Sequence, residues 1–333
     1  MTSPHDPIHE TVAVTSPQDL LSVVPYLLHF QPDQGVVVIG LDARQRVQVT
    51  VTADLPSPRD TQAVVDVIAV ALRRVRTTEV MVVAYGPREQ APDVVRFADL
   101  MPWPVELALL VAGQRWWHLP ADDDAEGHPI VIEDRVQVPL AVRIGVPATS
   151  RQALISSLAP AQDDIRDLVR RHLATIEANA RHGKATQDSD HDRARAAYAA
   201  LVRARRERES GPSDLPADQA AVLLLALDDL TVRDACAPWH DDAALALWLD
   251  LTRIAPDGWA APAATLLAFA AYQRGNGTLA RLAADRALDD IPDYPLAALV
   301  ATALDLAIPP HGLSQSLAEA LRDNPLQASP PTA

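Results

Sequence analysis

The apolar residues of this chain follow one pattern up to about residue 148 and a different one beyond it. In the first part, short apolar runs alternate with amphipathic segments, which is typical of a sheet covered by helices. In the second part, segments rich in alanine and leucine follow one another between clusters of Pro, Gly or Asp. At about 150 residues per domain, the 333 residues therefore predict two domains, an α/β domain and an all-helical one.

Three apolar runs and one tryptophan-rich segment predict the strands of the sheet. They are residues 36–41, 80–85, 105–111 and 115–119. After the first run, Val47, Val49 and Val51 alternate with polar residues, which predicts a β-hairpin whose second strand has one more solvated face. Residues 11–148 are therefore predicted to form an α/β domain with a mixed sheet of five or six strands flanked by helices.

Two Ser-Pro pairs predict helix starts in this domain. Ser16 precedes Pro17, and Ser57 precedes Pro58. A serine side chain can accept a hydrogen bond from the first free N–H groups of a helix, and proline suits the first helical position. We therefore expect one helix directly after Ser16 and another directly after Ser57, the second leading to the parallel strand at residues 80–85.

The second part predicts helices throughout. The segments are residues 151–182, 192–209, 216–229, 242–254, 260–273, 278–289, 294–307 and 313–323, with an exposed hinge at 183–192. We expect a helical connector at 149–209, a helical-hairpin domain at 210–325, and flexible ends at 1–10 and 326–333. Small Ala268, Ala280 and Ala287 around a turn at Gly275 and Gly277 resemble one tetratricopeptide-like hairpin.

The charge distribution limits the partners of the chain. The net charge is −15, which repels phosphate and argues against bulk binding of nucleic acid. One predicted helix nevertheless concentrates six arginines, at positions 193, 195, 203, 205, 206 and 208. These arginines either clamp phosphate or an acidic partner surface, or they form a solvated helix face.

The sequence carries no membrane or export signal. No apolar stretch reaches the roughly 20 residues that a membrane helix needs, and residues 1–10 lack a basic apolar leader. The single cysteine, Cys236, cannot form a disulfide within the chain and is expected to be a small buried residue. We therefore expect a cytoplasmic protein.

A series of short patterns in a consistent order resembles a known family. The patterns are Pro25-Tyr26-Leu27-Leu28, Phe30, Pro32, residues 36–41, Asp54-Leu55-Pro56, Tyr85-Gly86, Gly113, Trp116-Trp117, Trp248, Pro262 and residues 275–288. From about residue 12 to 308, the chain is similar to the actinobacterial family described as domain of unknown function 4192. The resemblance implies a cytoplasmic protein of high-GC Gram-positive bacteria and brings no activity with it.

One loop departs from that family and contains the densest set of possible metal ligands. Its neighbourhood holds His118, Asp122, Asp123, Asp124, Glu126 and His128, and it lacks the cysteine that similar proteins tend to carry there. Oxygen and imidazole ligands suit Mg²⁺, Mn²⁺ or Zn²⁺, but all of these residues lie on one short loop. A solvated acidic loop is the alternative, and we predict no resident metal.

A ligand site in an α/β sheet is expected beyond the carboxyl ends of its parallel strands. On the strands predicted here, Asp54 follows one strand and Tyr85-Gly86 ends its parallel neighbour in the sheet, and Arg115 and Trp116 are candidates to join them. Asp54 could bind a hydroxyl or act as a base, and Trp116 offers a stacking face. The alternative is that these residues shape turns and fill the core.

Two hypotheses about function follow. The preferred one is a non-enzymatic interaction or regulatory protein that binds a protein or peptide through its helical domain. The alternative is an enzyme that handles a small molecule or nucleotide, such as a hydrolase, at the strand ends. We predict no catalytic residue and no cofactor, because phosphate-loop, nucleophile-elbow, zincin and Cys-x-x-Cys patterns are absent. Convergence of Asp54, Gly86 and the acidic loop in one pocket would favour the enzyme.

Overall fold

The computed structural model describes residues 14–120, 126–132, 134–182, 190–211, 214–310, 312, 319 and 324–326. The chain divides into two compact units, Met1–Ala153 and Leu154–Ala333. None of the described helices is both long and apolar enough to cross a membrane.

The first unit combines a sheet with helices. In chain order its elements are α1 (Pro17–Leu28), β1 (Gly35–Leu41), β2 (Val47–Ala53), α2 (Thr61–Arg74), β3 (Glu79–Tyr85), α3 (Ala91–Asp99), β4 (Val105–Ala112), β5 (Arg115–His118), β6 (His128–Pro129) and α4 (Asp134–Ile144). A short helix, α5 (Arg151–Ser157), spans the boundary between the units.

The six strands form one mixed sheet in the order β2-β1-β3-β4-β5-β6, which confirms the predicted mixed sheet. β1 is antiparallel to both β2 and β3, so those two strands run in the same direction with β1 between them. The prediction that β2 and β3 are direct neighbours is therefore wrong. The adjacent parallel pair is β3 and β4, while β5 and β6 complete the sheet with antiparallel pairs.

Both faces of the sheet are buried. The face against α2 and α3 contains Val36, Val38, Val80, Val82, Ala84 and Leu110, which pack with Ile68, Leu72 and Phe97. Alternate strand residues point to the other face, where Val37, Ile39 and Val83 are also inaccessible to solvent. Double burial explains why β1 and residues 80–85 of β3 are apolar throughout.

The two Ser-Pro pairs have different outcomes. Ser16 caps α1 as predicted, since its hydroxyl oxygen accepts a hydrogen bond from the Asp19 N–H at 3.2 Å. The predicted start of the next helix at Ser57 is wrong, because α2 begins at Thr61. The Ser57 hydroxyl instead donates to the Asp60 carboxylate at 2.6 Å, within a turn that precedes the helix.

The second unit contains helices alone among its described elements. They are α6 (Asp163–His182), α7 (Asp190–Glu209), α8 (Ala217–Asp228), α9 (Leu230–Cys236), α10 (Asp242–Ile254), α11 (Ala261–Gln273), α12 (Gly277–Asp290) and α13 (Pro295–Asp305). The helix predicted at 151–182 is wrong, because the chain is not helical around Pro160 and α5 and α6 are separate helices. Most of the helix predicted at 313–323, and residues 183–189 of the predicted hinge, lie outside the described residues. The predicted hinge is wrong at 190–192, which begin α7.

One hydrophobic core joins the helices of the second unit. Helix α11 is buried all round, as expected for a central helix that is apolar on every side. Val169 of α6 and Leu201 of α7 belong to the same core as Trp248 of α10, so the segment predicted as a connector packs with the rest. The tight pairing of α11 with α12 uses small buried residues, among them Ala268 and Ala280.

Candidate functional site

The strand-end residues that the sequence singles out lie on the side of the sheet where the parallel strands β2, β3 and β4 end. The pairing register places Gly35 opposite Tyr85, Tyr85 opposite Val111, Val111 opposite Trp116, and Trp116 opposite His128. Asp54 follows the last residue of β2, whose partner is Val36. The edge formed by the carboxyl ends of β2, β3 and β4 therefore carries Asp54, Tyr85, Gly86, Arg115 and Trp116.

These residues share an edge but do not form one compact centre. Adjacent strands are about 4.8 Å apart, so the backbone positions of Asp54 and Tyr85 are about 10 Å apart across β1. Trp116 lies about another 10 Å beyond Tyr85, across β4. Asp54 is exposed at the far end of the row. A direct reaction that needs the Asp54 carboxylate and the Trp116 ring together is not supported by this spacing.

Arg115 holds the loop that leads to β6. Its guanidinium nitrogen Nη1 donates to the carbonyl oxygens of Glu126 at 3.0 Å and Gly127 at 2.8 Å. On the same face of the sheet, the guanidinium of Arg88 lies 5.2 Å from the ring centre of Trp117. Arg115 therefore positions backbone rather than pointing its charge at an open site.

Gly86 directly follows β3. Its N–H donates to the Val111 carbonyl at 3.0 Å. The side-chain amide of Gln90 fills the space in which a Cβ atom on Gly86 would stand. A larger residue at position 86 would therefore require the flexible Gln90 side chain to move.

Tyr85 and Trp116 share the other face of the sheet. Burial raises the pKa of Tyr85 above its ordinary range, so its hydroxyl stays neutral. The rings of Trp116 and His128 are 4.5 Å apart and tilted. The Nε1–H of Trp116 is buried and finds no acceptor among the described residues. A buried donor without an acceptor is uncommon in proteins, and this one suits a hydrogen-bond acceptor on a ligand.

The acidic loop that the sequence singles out is only partly described. Residues 121–125, which include Asp122, Asp123 and Asp124, lie outside the described residues. Within the described part of the chain, no three His, Cys, Asp or Glu side chains gather into a group that could hold a metal.

The arginine-rich helix of the second unit, α7, separates into two sets of side chains. Arg193, Arg205 and Arg208 form ion pairs with Asp190, Asp241 and Asp250 respectively. Arg195, Arg203 and Arg206 are exposed and form no ion pair with any described residue. At 3.6 residues per turn, these three arginines lie within about 80° of one another around the helix axis.

An aromatic cluster includes Tyr198, which lies on α7 one turn from the exposed Arg195. The ring of Trp239 lies 5.6 Å from that of Tyr198 and is stacked 5.8 Å from that of Trp248. The Arg205 guanidinium lies 5.0 Å from the centre of the Trp239 ring. Trp239 and Tyr198 remain partly exposed, whereas Trp248 is fully buried.

Asp241 and Asp250 fix this part of α7 against α10. Burial raises the pKa of Asp241, but hydrogen bonds from Arg205 and from the Ala244 N–H outweigh burial and hold the pKa below its ordinary value. Arg208 is almost fully buried, and its Nη2 lies 2.8 Å from the Asp250 carboxylate. The sequence pointed to the six arginines but not to the aromatic cluster. The features of the sequence that could have indicated the cluster are Tyr198 within a basic helix and Trp239 beside His240.

Cys236 lies next to this cluster and is fully buried, as predicted. Burial raises the pKa of its thiol well above the ordinary value, and the nearby charge of Arg205 opposes that rise without cancelling it. The thiol is therefore a packing group and not a nucleophile.

Comparisons with known proteins support the resemblance seen in the sequence. The model of a family described as Domain of unknown function (DUF4192) matches residues 17–311. No curated protein and no solved structure matches the chain. Because the matched segment covers most of the 333 residues, the chain belongs to the DUF4192 family.

Proposed function

We propose that this chain is a non-enzymatic protein-interaction protein whose helical unit binds an acidic segment of a partner protein. The observation that carries the proposal is the exposed arginine face of α7, formed by Arg195, Arg203 and Arg206, beside Tyr198 and Trp239. We call these five residues the arginine-aromatic surface.

The chemistry of this surface favours carboxylates. Guanidinium groups bind carboxylates through two parallel hydrogen bonds and remain charged at any physiological pH. Because Arg205 and Arg208 already neutralise Asp241 and Asp250, they fix α7 in place, and the exposed arginines keep their charge for a partner. The net charge of −15 repels a long nucleic acid more strongly than a short acidic segment, because a nucleic acid carries a charge at every phosphate.

The aromatic members of the surface are preorganised. Trp239 contacts both the ring of Trp248 and the guanidinium of Arg205, so it loses little side-chain freedom when a partner binds. Tryptophan, tyrosine and arginine are also the residues that most often dominate binding energy at protein interfaces.

The proposal extends to the way in which two helices of this unit, α11 and α12, pack together. We infer that α11 and α12 form a tetratricopeptide-like hairpin, since the turn at Gly275 is tight and the buried contact residues are small. We also propose that the protein is located in the cytoplasm of an actinobacterium, which the family resemblance supports.

A selection from a phage-displayed random peptide library tests the proposal. The wild-type protein is expected to enrich peptides rich in Asp and Glu. A variant with Arg195→Glu, Arg203→Glu and Arg206→Glu is expected to lose that enrichment, because its surface repels carboxylates. Enrichment of neutral peptides, or of the same peptides by both proteins, would contradict the proposal.

A matched control separates the surface from the net charge. The variant Arg59→Glu, Arg96→Glu and Arg171→Glu changes three exposed arginines elsewhere and makes the same change in net charge. It is expected to enrich the same acidic peptides as the wild type. Tighter binding of single-stranded DNA than of the enriched peptides would favour a nucleic-acid role over the proposed one.

The second candidate function is the binding of a small molecule at the strand ends near Trp116. It includes the enzyme hypothesis that the sequence left open. The observation that favours it is the buried Nε1–H of Trp116, which has no acceptor in the part of the chain that the structure describes. A thermal-shift panel of nucleotides and small carboxylic acids tests it. A compound that stabilises the wild type and the Trp117→Phe variant but not Trp116→Phe would support a ligand on this face, and the absence of any shift would contradict it.

A further inference from the structure

The strand β2 forms an open edge of the sheet. It pairs with β1 and with no other strand of the described chain. Its residues, Val47–Ala53, include no charged residue and no proline. Edge strands usually carry such residues because an uncovered edge exposes unpaired N–H and C=O groups that can pair with another strand. An irregular pairing at Gln48 leaves residues 49–53 as the regular part of the strand.

We propose that β2 pairs antiparallel with β2 of a second copy of this chain, around a two-fold axis at Thr50. The pairing joins two six-stranded sheets into one continuous sheet. A two-fold interface uses the same surface on both copies, so that surface must be complementary to itself.

The sequence of β2 meets that requirement. Around Thr50, antiparallel pairing places Val49 opposite Val51 of the second copy, and Gln48 close to Thr52. Val49 and Val51 lie on the face that packs against the core, so apolar residues meet apolar residues on that face. Thr50 and Thr52 lie on the other face, where polar side chains meet. Cross-strand pairs of this kind stabilise a sheet.

The charges at the two ends of β2 are also complementary. Arg46 precedes the strand and Asp54 follows it, so antiparallel pairing brings each Arg46 toward Asp54 of the second copy. Arg46 already binds Asp42 through Nε at 2.9 Å and Nη2 at 2.7 Å. Its side chain nevertheless remains 59% exposed, and the guanidinium has further N–H groups to donate.

Helix α2 packs on β2 and on α3. Its buried residues Val65, Ile68 and Leu72 face the sheet, whereas the exposed Val67 and Val70 lie on the opposite side of the helix. A two-fold axis at Thr50 keeps the two copies of α2 on the same face of the joined sheet, and the edge of β2 itself forms the interface.

A cysteine cross-link tests the axis directly. With Thr50→Cys, the two cysteines stand opposite each other with Cα atoms about 4.5 to 5.5 Å apart, within the range of a disulfide. The natural Cys236 is buried and does not compete. Mild oxidation is expected to convert Thr50→Cys into a covalent dimer. Val47→Cys is the control, because its two cysteines would be roughly 20 Å apart along the strands, so this variant is expected to stay uncrosslinked.

Light scattering of the full chain tests the interface without a cross-link. The wild type is expected to show twice the 35.9 kDa mass of one chain. Thr50→Lys is expected to restore the single mass, because it sets two like charges opposite each other at the axis. Val142→Lys on α4, where the valine is 85% exposed, is the control that keeps the dimer. A wild type that stays monomeric at its highest soluble concentration would overturn the proposal. Equal cross-linking of both cysteine variants, or a dimer that survives Thr50→Lys, would do the same.

Discussion

The carboxylate of Asp19 on α1 is completely buried and forms an ion pair with Arg135 on α4, whose own side chain is 57% exposed. The same carboxylate accepts hydrogen bonds from the Thr15 N–H at 2.9 Å and the Thr15 hydroxyl at 2.8 Å. Burial raises the pKa of Asp19, but these hydrogen bonds and Arg135 outweigh burial and lower the pKa to about 2. The ion pair thus joins the first and the fourth helix of the first unit.

This lowered pKa predicts acid sensitivity. Because the pKa of Asp19 in the folded state, about 2, lies below its ordinary value of 3.8, the unfolded state binds the proton more tightly. The stabilisation from this group is present above pH ~4 and is lost as the pH falls toward 2. Urea unfolding across that interval is expected to show a shallower loss of stability for Asp19→Asn than for the wild type. An unchanged slope would contradict this account, and Asp99→Asn, at an exposed position, is the control.

Asp290 is expected to stabilise the start of a helix distant in sequence. Its carboxylate accepts hydrogen bonds from the N–H groups of Gly258 at 2.8 Å, Ala260 at 2.8 Å and Ala261 at 3.0 Å. Loss of this cap of α11 in Asp290→Ala should lower the free energy of unfolding by about 2 kcal/mol. Thermal or urea unfolding measures the change. Asp289→Ala, at the neighbouring exposed position, should change little, and equal effects of the two variants would contradict the prediction.

Two glycines with similar backbone angles are expected to respond differently to alanine. Gly35 has φ +95° and Gly145 has φ +93°. Both substitutions impose a strain of roughly 1–2 kcal/mol. A Cβ atom on Gly35 would in addition stand 2.5 Å from the Ala53 carbonyl oxygen, whereas one on Gly145 would meet nothing within 4 Å. Gly35→Ala should therefore be the more destabilising in a urea titration, and the reverse order would show that the β1–β2 contact is looser than described.

The thiol of Cys236 is expected to be inert in the folded protein. Complete burial blocks access and raises the pKa of the thiol, so neither the reagent nor the thiolate is available. A chromogenic disulfide reagent should react with it only as denaturant unfolds the chain. Fast labelling without denaturant would contradict the burial of this residue and would complicate the cross-linking test at Thr50.

Local sequence patterns predict the strands better than the order of the strands. The apolar runs of β1, β3 and β4 are explicit in the sequence because both of their faces are buried. The insertion of β1 between β2 and β3 depends on long-range pairing, which no local pattern encodes. Helix α4 escaped prediction because Pro139 interrupts its helical pattern, and the break at Pro160 was hidden by helix-forming residues on both sides.

The candidate sites show the same limit. Strand direction was enough to place Asp54 and Tyr85 at one edge of the sheet, and their roles in binding remain predictions. The use of Arg115 to hold two backbone carbonyls could not be read from spacing, because its partners lie on a loop 11 and 12 residues later. The contact between Tyr198 and Trp239 is likewise formed by packing of residues far apart in the chain.

Fluorescence anisotropy with a labelled glutamate-rich peptide tests the central claim most directly. We predict that the wild type binds the peptide and that added salt weakens the complex, as expected for exposed charges. Reversal of Arg195, Arg203 and Arg206 to Glu should weaken binding by about tenfold or more, since each exposed charge contributes up to about 1 kcal/mol. Reversal of Arg59, Arg96 and Arg171 should leave binding within about twofold of the wild type. Equal affinity of all three proteins for the peptide would contradict the account.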